Sequence, residues 1–113
     1  MHELSLMQET LSIAIAHARR ERAQRIHRLT MRVGALSGVV PDALQFAFGV
    51  LTRGTMADGA ELHIETVPIV GHCTTCAQEF ETADLLGACP RCGEPATQLR
   101  HGRELELGSL EVS

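Results

Sequence analysis

The chain has no tryptophan, no tyrosine and no lysine, and only three phenylalanines among 113 residues. A core with so few rings must be mostly aliphatic, and the aromatic platforms on which single-stranded nucleic acid stacks are missing. All ten basic residues are arginine. No stretch reaches the roughly 18–20 apolar residues of a membrane-spanning helix. The opening residues lack the basic segment and apolar run of a secretory signal. A chain in a reducing cytoplasm, without membrane association, is therefore expected, and its four cysteines read as metal ligands before disulfides. There is no glycine-rich phosphate loop and no nucleophile elbow, which speaks against an enzyme.

The net charge of −4 is unevenly spread. Residues 1–56 carry seven arginines against Glu3, Glu9, Glu21 and Asp42, a net +3, whereas residues 57–113 carry three against ten acids, a net −7. Such a dipolar chain suits protein partners better than nucleic acid. At 44% hydrophobic, the chain can bury one main core and a small satellite.

Residues 4–24 are expected to form one helix, because Leu4, Met7, Leu11, Ala14, Ile15 and Ala18 share a helical face. The arginine-rich stretch Arg19–Arg28 reads either as a solvated helix end whose cations suit the C-terminal dipole or as a contact surface for an acidic protein. Leu29, Met31, Val33 and Ala35 alternate with polar or small residues, as in a strand buried on one face. Gly34, Ser37 and Gly38 end it, and Pro41 suits the first turn of a second helix over about Pro41–Arg53. That helix is apolar nearly all round and is expected to be deeply packed, with Gly54 placed to end it. Residues 60–67 read as a second strand stopped by Pro68, and residues 103–112 as a third. In the third, Leu105 and Leu107 are out of phase with Leu110 and Val112, which a β-bulge near Gly108–Ser109 would reconcile.

Between the last two strands the composition changes. Residues 71–100 hold all four cysteines and little apolar material beyond Phe80, Leu85, Leu86 and Leu99, too little to fold on packing alone. Cys73-Thr-Thr-Cys76 and Cys89-Pro-Arg-Cys92 are two knuckles that can wrap four thiolates around one tetrahedral ion, Zn²⁺ foremost. A redox pair would not need two knuckles, and iron in the same cage is the lesser alternative. Pro90 stiffens the second knuckle and Gly93 lets the chain turn back. Four protein ligands leave no open position, so this zinc is expected to be structural. The module has few arginines and one aromatic ring, unlike a nucleic-acid-binding zinc ribbon.

The sequence opens "MHELSL". The amine of Met1, the backbone nitrogen of His2 and its imidazole can close fused chelate rings, and Glu3 adds a backbone nitrogen or its carboxylate. Nitrogen-rich sets of this kind favour Ni²⁺ or Cu²⁺. The donors must be deprotonated to bind, so affinity falls on mild acidification. Taken alone the signal is weak. His17, His27, His63, His72 and His101 read as ordinary surface or edge residues, although His72 adjoins Cys73.

Together, "MHELSLMQ", "VGALSGVVPDALQFAF" and the paired knuckles resemble the HypA/HybF family, the nickel metallochaperones of [NiFe]-hydrogenase maturation, over essentially the whole chain. The resemblance implies a nickel site at Met1, His2 and Glu3 and a structural zinc on Cys73, Cys76, Cys89 and Cys92. It implies two partners, the nickel-handling GTPase HypB and the hydrogenase large subunit. Some relatives carry histidines just after the cysteine pairs, where this chain has Ala77 and Gly93.

The expected fold is α+β: a small three-stranded sheet packed with two helices, plus an inserted Cys₄ zinc-ribbon module. Residues 1–69 and 101–113 form the nickel-binding domain and residues 70–100 the zinc-binding domain. The expected protein is a monomer or weak homodimer. The competing reading is a zinc-ribbon protein-interaction or nucleic-acid-binding module without a transferable metal. The two differ in stoichiometry: zinc plus a weaker nickel, or zinc alone.

Overall fold

The computed structural model describes residues 2–83, 87–96 and 98–113. The elements in order are α1 (His2–Arg20), β1 (Ile26–Gly34), α2 (Pro41–Leu51), β2 (Glu61–Val67), β3 (Ile69–Cys73), β4 (Gln78–Thr82), β5 (Gln98–His101) and β6 (Leu105–Val112). They make two three-stranded sheets, one ordered β2-β1-β6 and the other β4-β3-β5. The chain divides into two compact units. One comprises Met1–Arg32, Val39–Glu65 and Glu106–Ser113; the other comprises Val33–Gly38 and Thr66–Leu105.

In the first unit, α1 packs against α2. The expected face of α1 is buried at Met7, Leu11, Ala14 and Ala18, while Leu4 and Ile15 are half-buried. From β1 come Ile26, Leu29 and Met31, and from α2 Leu44, Ala47 and Phe48. The largest of these are aliphatic, as the shortage of rings required. On the other face of the sheet, β1 carries its arginines between acids. Arg28 meets Glu61 at 3.0 Å and Glu111 at 3.5 Å; Arg32 meets Glu106 at 2.8 Å and Glu65 at 3.5 Å. These pairs are partly exposed, so each is worth about 0–1 kcal/mol.

Three expectations need correction. Helix α1 stops at Arg20, short of residue 24. Arg22 takes φ +59°, and the chain turns back through Ala23 N–H to the Ala18 carbonyl at 2.9 Å and Arg22 N–H to the Arg19 carbonyl at 3.0 Å. This is a Schellman ending with arginine in the left-handed position that glycine usually fills, so no glycine marks it. Helix α2 is not deeply packed all round: Phe46 is 76% exposed and Val50 41% exposed. Its apolar surplus lies outside the core. The five arginines of Arg19–Arg28 also do not form one patch, since Arg25 donates to the Asp58 carbonyl at 2.8 Å and Arg28 joins the sheet ladder.

The expected strands at residues 29–35, 60–67 and 103–112 appear as β1, β2 and β6. In β6, Leu107 and Leu110 are half-buried while Leu105 and Val112 are exposed, so burial does not keep a period of two through Gly108 and Ser109.

The second unit contains the cysteine module, which has its own sheet. β3 pairs antiparallel with β4, Gly71 opposite Phe80 and Cys73 opposite Gln78, and antiparallel with β5, His72 opposite Gln98. Its apolar cluster is Cys73, Phe80 and Cys89, with Cys76 and Ala96 packed on it. Gly71 makes room for the ring: a Cβ there would stand 2.7 Å from Ala96 Cβ and 3.3 Å from Phe80 Cζ. Leu85 and Leu86 lie outside the described residues. Where β6 approaches, Gly102 takes φ +127°, and a Cβ on Gly34 would overlap the Gly102 carbonyl. The Leu36 N–H donates to that carbonyl at 2.6 Å.

Candidate metal centres

The last residue of β3 is Cys73, and the turn that follows brings back Cys76, whose N–H points at the Cys73 sulfur at 3.5 Å. Ala77 closes this knuckle with φ +51°. The second knuckle begins after a bridge between Ala88 and Pro95. The Cys89 N–H donates to the Glu94 carbonyl and the Gly93 N–H to the Cys89 carbonyl, each at 2.8 Å. Gly93 closes it with φ +78°. Both knuckles thus end in a left-handed residue just after the second cysteine, a turn that Gly93 signals and Ala77 does not.

The four sulfurs converge. Cys73 Sγ lies 3.5 Å from Cys92 Sγ, Cys89 Sγ lies 3.9 Å from Cys76 Sγ, and all four fall within 4.8 Å of one another. Four sulfurs about 2.3 Å from one tetrahedral ion stand about 3.8 Å apart, so the donor set and its spacing fit such an ion. No disulfide links them. Cys73 and Cys89 are buried, Cys76 is intermediate and Cys92 is exposed.

The thiols differ in acidity. The N–H of Cys92, with that of Arg91, faces the Cys89 sulfur and lowers its pKa to about 6. The neighbouring Cys92 thiol, with burial, pushes Cys76 up to about 12. Four close thiolates repel one another, and a central cation supplies the charge that lets them ionise together.

At the other end of the sequence, His2 is exposed as the first residue of α1. The next residue is engaged: Glu3 Oε2 accepts the Val40 N–H at 3.1 Å. That bond, chiefly, holds the Glu3 carboxyl below the usual carboxylate range. Val40 caps α2 with no side-chain partner of its own, so Glu3 fastens the start of α1 to the start of α2. No sequence signal marks this bond, because the partners are 37 residues apart. Met1 lies outside the described residues. Among the described residues, no third histidine, cysteine or carboxylate gathers with His2 and Glu3. A chelate here must draw on backbone or terminal nitrogen.

The remaining histidines do not converge. His17 Nδ1 is 3.4 Å from Arg20, His27 Nε2 is 2.7 Å from Ser113 Oγ, and His63 is exposed. His101 Nδ1 meets Glu104 at 2.8 Å. Glu104 also accepts the Gly102 N–H at 2.7 Å, and this bond first, with His101 second, lowers its pKa to about 2. Glu104 is a structural clamp on the return from β5 to β6 that the sequence reading missed. Its only signal is a carboxylate two residues after a glycine.

Comparisons with known proteins identify a family for the whole chain. The family described as hydrogenase/urease nickel incorporation, metallochaperone, HypA matches residues 1–112. A hydrogenase maturation factor HypA from Picosynechococcus sp. is 49% identical over 112 residues, covering 99% of each chain. One from Chloroflexus aurantiacus is 47% identical over 113 residues, again covering 99% of each chain. A solution structure of a HypA protein superposes with a TM-score of 0.74 at 25% identity, covering 100% of this chain and 97% of that one. The solution structure of the Ni metallochaperone HypA from Helicobacter pylori gives 0.66 at 23% identity, covering 97% and 96%, a likeness of fold.

Proposed function

The chain belongs to the HypA family of nickel-incorporation metallochaperones, and on that premise we propose that it binds Ni(II) at its N-terminus and carries it to a hydrogenase. Its ligands are the Met1 amine, the His2 imidazole and Glu3. It hands the ion, together with the GTPase HypB, to the large subunit of [NiFe]-hydrogenase in the cytoplasm. Zinc sits on Cys73, Cys76, Cys89 and Cys92 and stays there. Residues 1–69 and 101–113 serve as the nickel-binding domain and residues 70–100 as the zinc-binding domain.

The observation that supports this reading is the contrast between the two donor sets. The four thiols surround a position and leave no site for an incoming ligand, which suits a resident ion. His2 is exposed and gathers no complete shell of side chains, which suits an ion that must leave. A partner's donor can occupy an open position there and begin the exchange. Nothing in such a chelate excludes Cu²⁺, which binds more tightly than Ni²⁺ in the affinity series. Selectivity therefore rests on supply and on the partner.

Calorimetry with Ni²⁺ on zinc-loaded protein tests this. The wild type should take up one nickel beside its zinc, more weakly at lower pH. His2→Ala should abolish tight binding, and acetylation of the Met1 amine should cut it sharply; with no lysine in the chain, an amine-specific reagent has no side-chain target. Zinc content should stay unchanged throughout. Undiminished nickel uptake by His2→Ala would refute the N-terminal site. Uptake of zinc alone by the wild type would favour the interaction-module reading.

A further inference from the structure

β6 is an edge strand of its sheet, paired on one side with β1. Such a strand presents a row of backbone N–H and C=O groups to whatever lies beside it. Charge or proline ordinarily blunts an edge, yet residues 107–110 read Leu-Gly-Ser-Leu and carry neither. Between β6 and the second half of α1 lies an open groove of about 700 Å³. Consecutive residues from Leu107 to Leu110 line it. Only the edge of a strand can offer that, since a face presents alternate residues. The apolar lining is Ile13 from the helix and Leu107, Leu110 and Val112 from the strand. Ile13 is 53% exposed and Val112 36% exposed. The whole groove belongs to the first unit.

One end of the groove is basic. The close of α1 sets exposed Arg19, Arg20 and Arg22 against the single acid Glu21, and Arg22 lines the groove itself. Arg22 holds φ +59°, a conformation that glycine takes freely and arginine only under strain. Strain at an exposed position points to a use for the side chain. Among the described residues, Arg22 takes part in no ion pair. We propose that the groove receives an extended segment of a partner protein, added to β6 as a fourth strand. Its alternate apolar side chains sit over Ile13, Leu110 and Val112, and an acidic residue faces Arg22. Backbone bonds to the edge give such a complex its affinity, and the apolar and acidic positions its specificity. The segment runs antiparallel to β6, the pairing that is more stable per residue. β6 ends at the basic end of the groove, where the Ser113 carbonyl accepts the Gln24 N–H at 2.8 Å. The acid therefore lies near the amino end of the segment. This assignment does not depend on where nickel binds.

The probe is an acetylated heptapeptide that begins with aspartate and continues with alternating valine and threonine. It is titrated into zinc-loaded, isotope-labelled protein and followed through the amide spectrum. Shifts should be confined to residues 13–23 and 107–113, which border the groove, and amides on the outer edge of β6 should gain protection from exchange. A peptide beginning with lysine should bind about three- to tenfold more weakly at low salt. Arg22→Gly should erase that preference without lowering the melting temperature, since the strain leaves with the side chain. Ile13→Lys, at a half-exposed position, should weaken binding about tenfold. A peptide N-methylated at every amide should not bind, because it has no N–H to offer the edge. Absence of shifts in the groove at millimolar peptide overturns the proposal. So does equal binding of the N-methylated peptide, a preference for acid that survives Arg22→Gly, or an Ile13→Lys variant of unchanged affinity. Concentration-dependent shifts of β6 without peptide would put a second copy in the groove and overturn it as well.

Discussion

The two units hold themselves together by different means. The first buries Met7, Leu11, Ile26, Leu29, Met31, Leu44 and Phe48, each worth about 1.5–3 kcal/mol of transfer free energy when removed from water. The second unit buries Val33, Val67 and Ile69, but within residues 71–100 its buried side chains are Phe80 and, beyond it, mainly the thiols themselves. An apolar core works whether or not a ligand is present. A core in which most members are thiols around one position depends on a cation there, because close thiolates repel one another. The comparison separates stability that is always present from stability that is supplied.

The largest test of that contrast is to remove the supply. Chelation of zinc, or Cys76→Ser, should abolish ordered structure over residues 71–100 while the far-UV signal of α1 and α2 persists. Structural zinc contributes about 10–16 kcal/mol in zinc-finger peptides, more than so small a cluster can replace. Residue-resolved amide spectra check this. Retention of stoichiometric zinc by Cys76→Ser, or loss of both helices with the module, would end the distinction.

A smaller effect separates the cores by how damage is read out. Leu44→Ala should lower the melting temperature of the helical unit, costing about 2–5 kcal/mol, with zinc affinity unchanged. Phe80→Ala should cost about 3–5 kcal/mol, but as weaker zinc binding, because folding and binding of the module are one event. Competition against a zinc chelator measures the second quantity directly.

Smaller again is the strain at Ala77. A left-handed alanine costs about 1–2 kcal/mol, and glycine recovers that less about 0.4–1 kcal/mol for its freer unfolded chain. Ala77→Gly should therefore tighten zinc binding by about tenfold at most, in the same chelator competition.

The least effect concerns Glu104. The Gly102 N–H, with His101, holds its carboxyl at about 2, below its unfolded value. Its stabilising bonds are therefore complete above the ordinary carboxylate range and are lost as pH falls from there toward 2. The stability difference between wild type and Glu104→Gln should be constant near neutral pH and shrink only on that acid limb. A carbon-detected titration of the Glu104 carboxyl gives the same value independently.

What could be read in advance depended on how local each cause was. The cysteine knuckles were legible because a tetrahedral site dictates spacing within a few residues. The amphipathic stripe of α1 and the alternation of β1 were legible for the same reason. The end of α1 was not, because arginine at position 22 imitates a glycine cap. The outer face of α2 was misjudged because hydropathy records an apolar side chain without saying what covers it, and Phe46 stays 76% exposed. The strands of the module were hidden by their brevity and mixed polarity. The bond from Glu3 to Val40 belongs to tertiary structure and has no local signature.

The glycine-on-glycine approach of Gly34 and Gly102 bears on how this fold tolerates change. Position 34 admits no Cβ because the Gly102 carbonyl occupies the space, whereas position 102 rejects side chains through its φ of +127°. In a saturation scan the two would appear as unrelated intolerant sites, 68 positions apart. They form one contact, yet no second-site change at either could rescue the other, since each fails for a reason of its own. Covariation would stay silent at this crossing, and invariance would be its only trace.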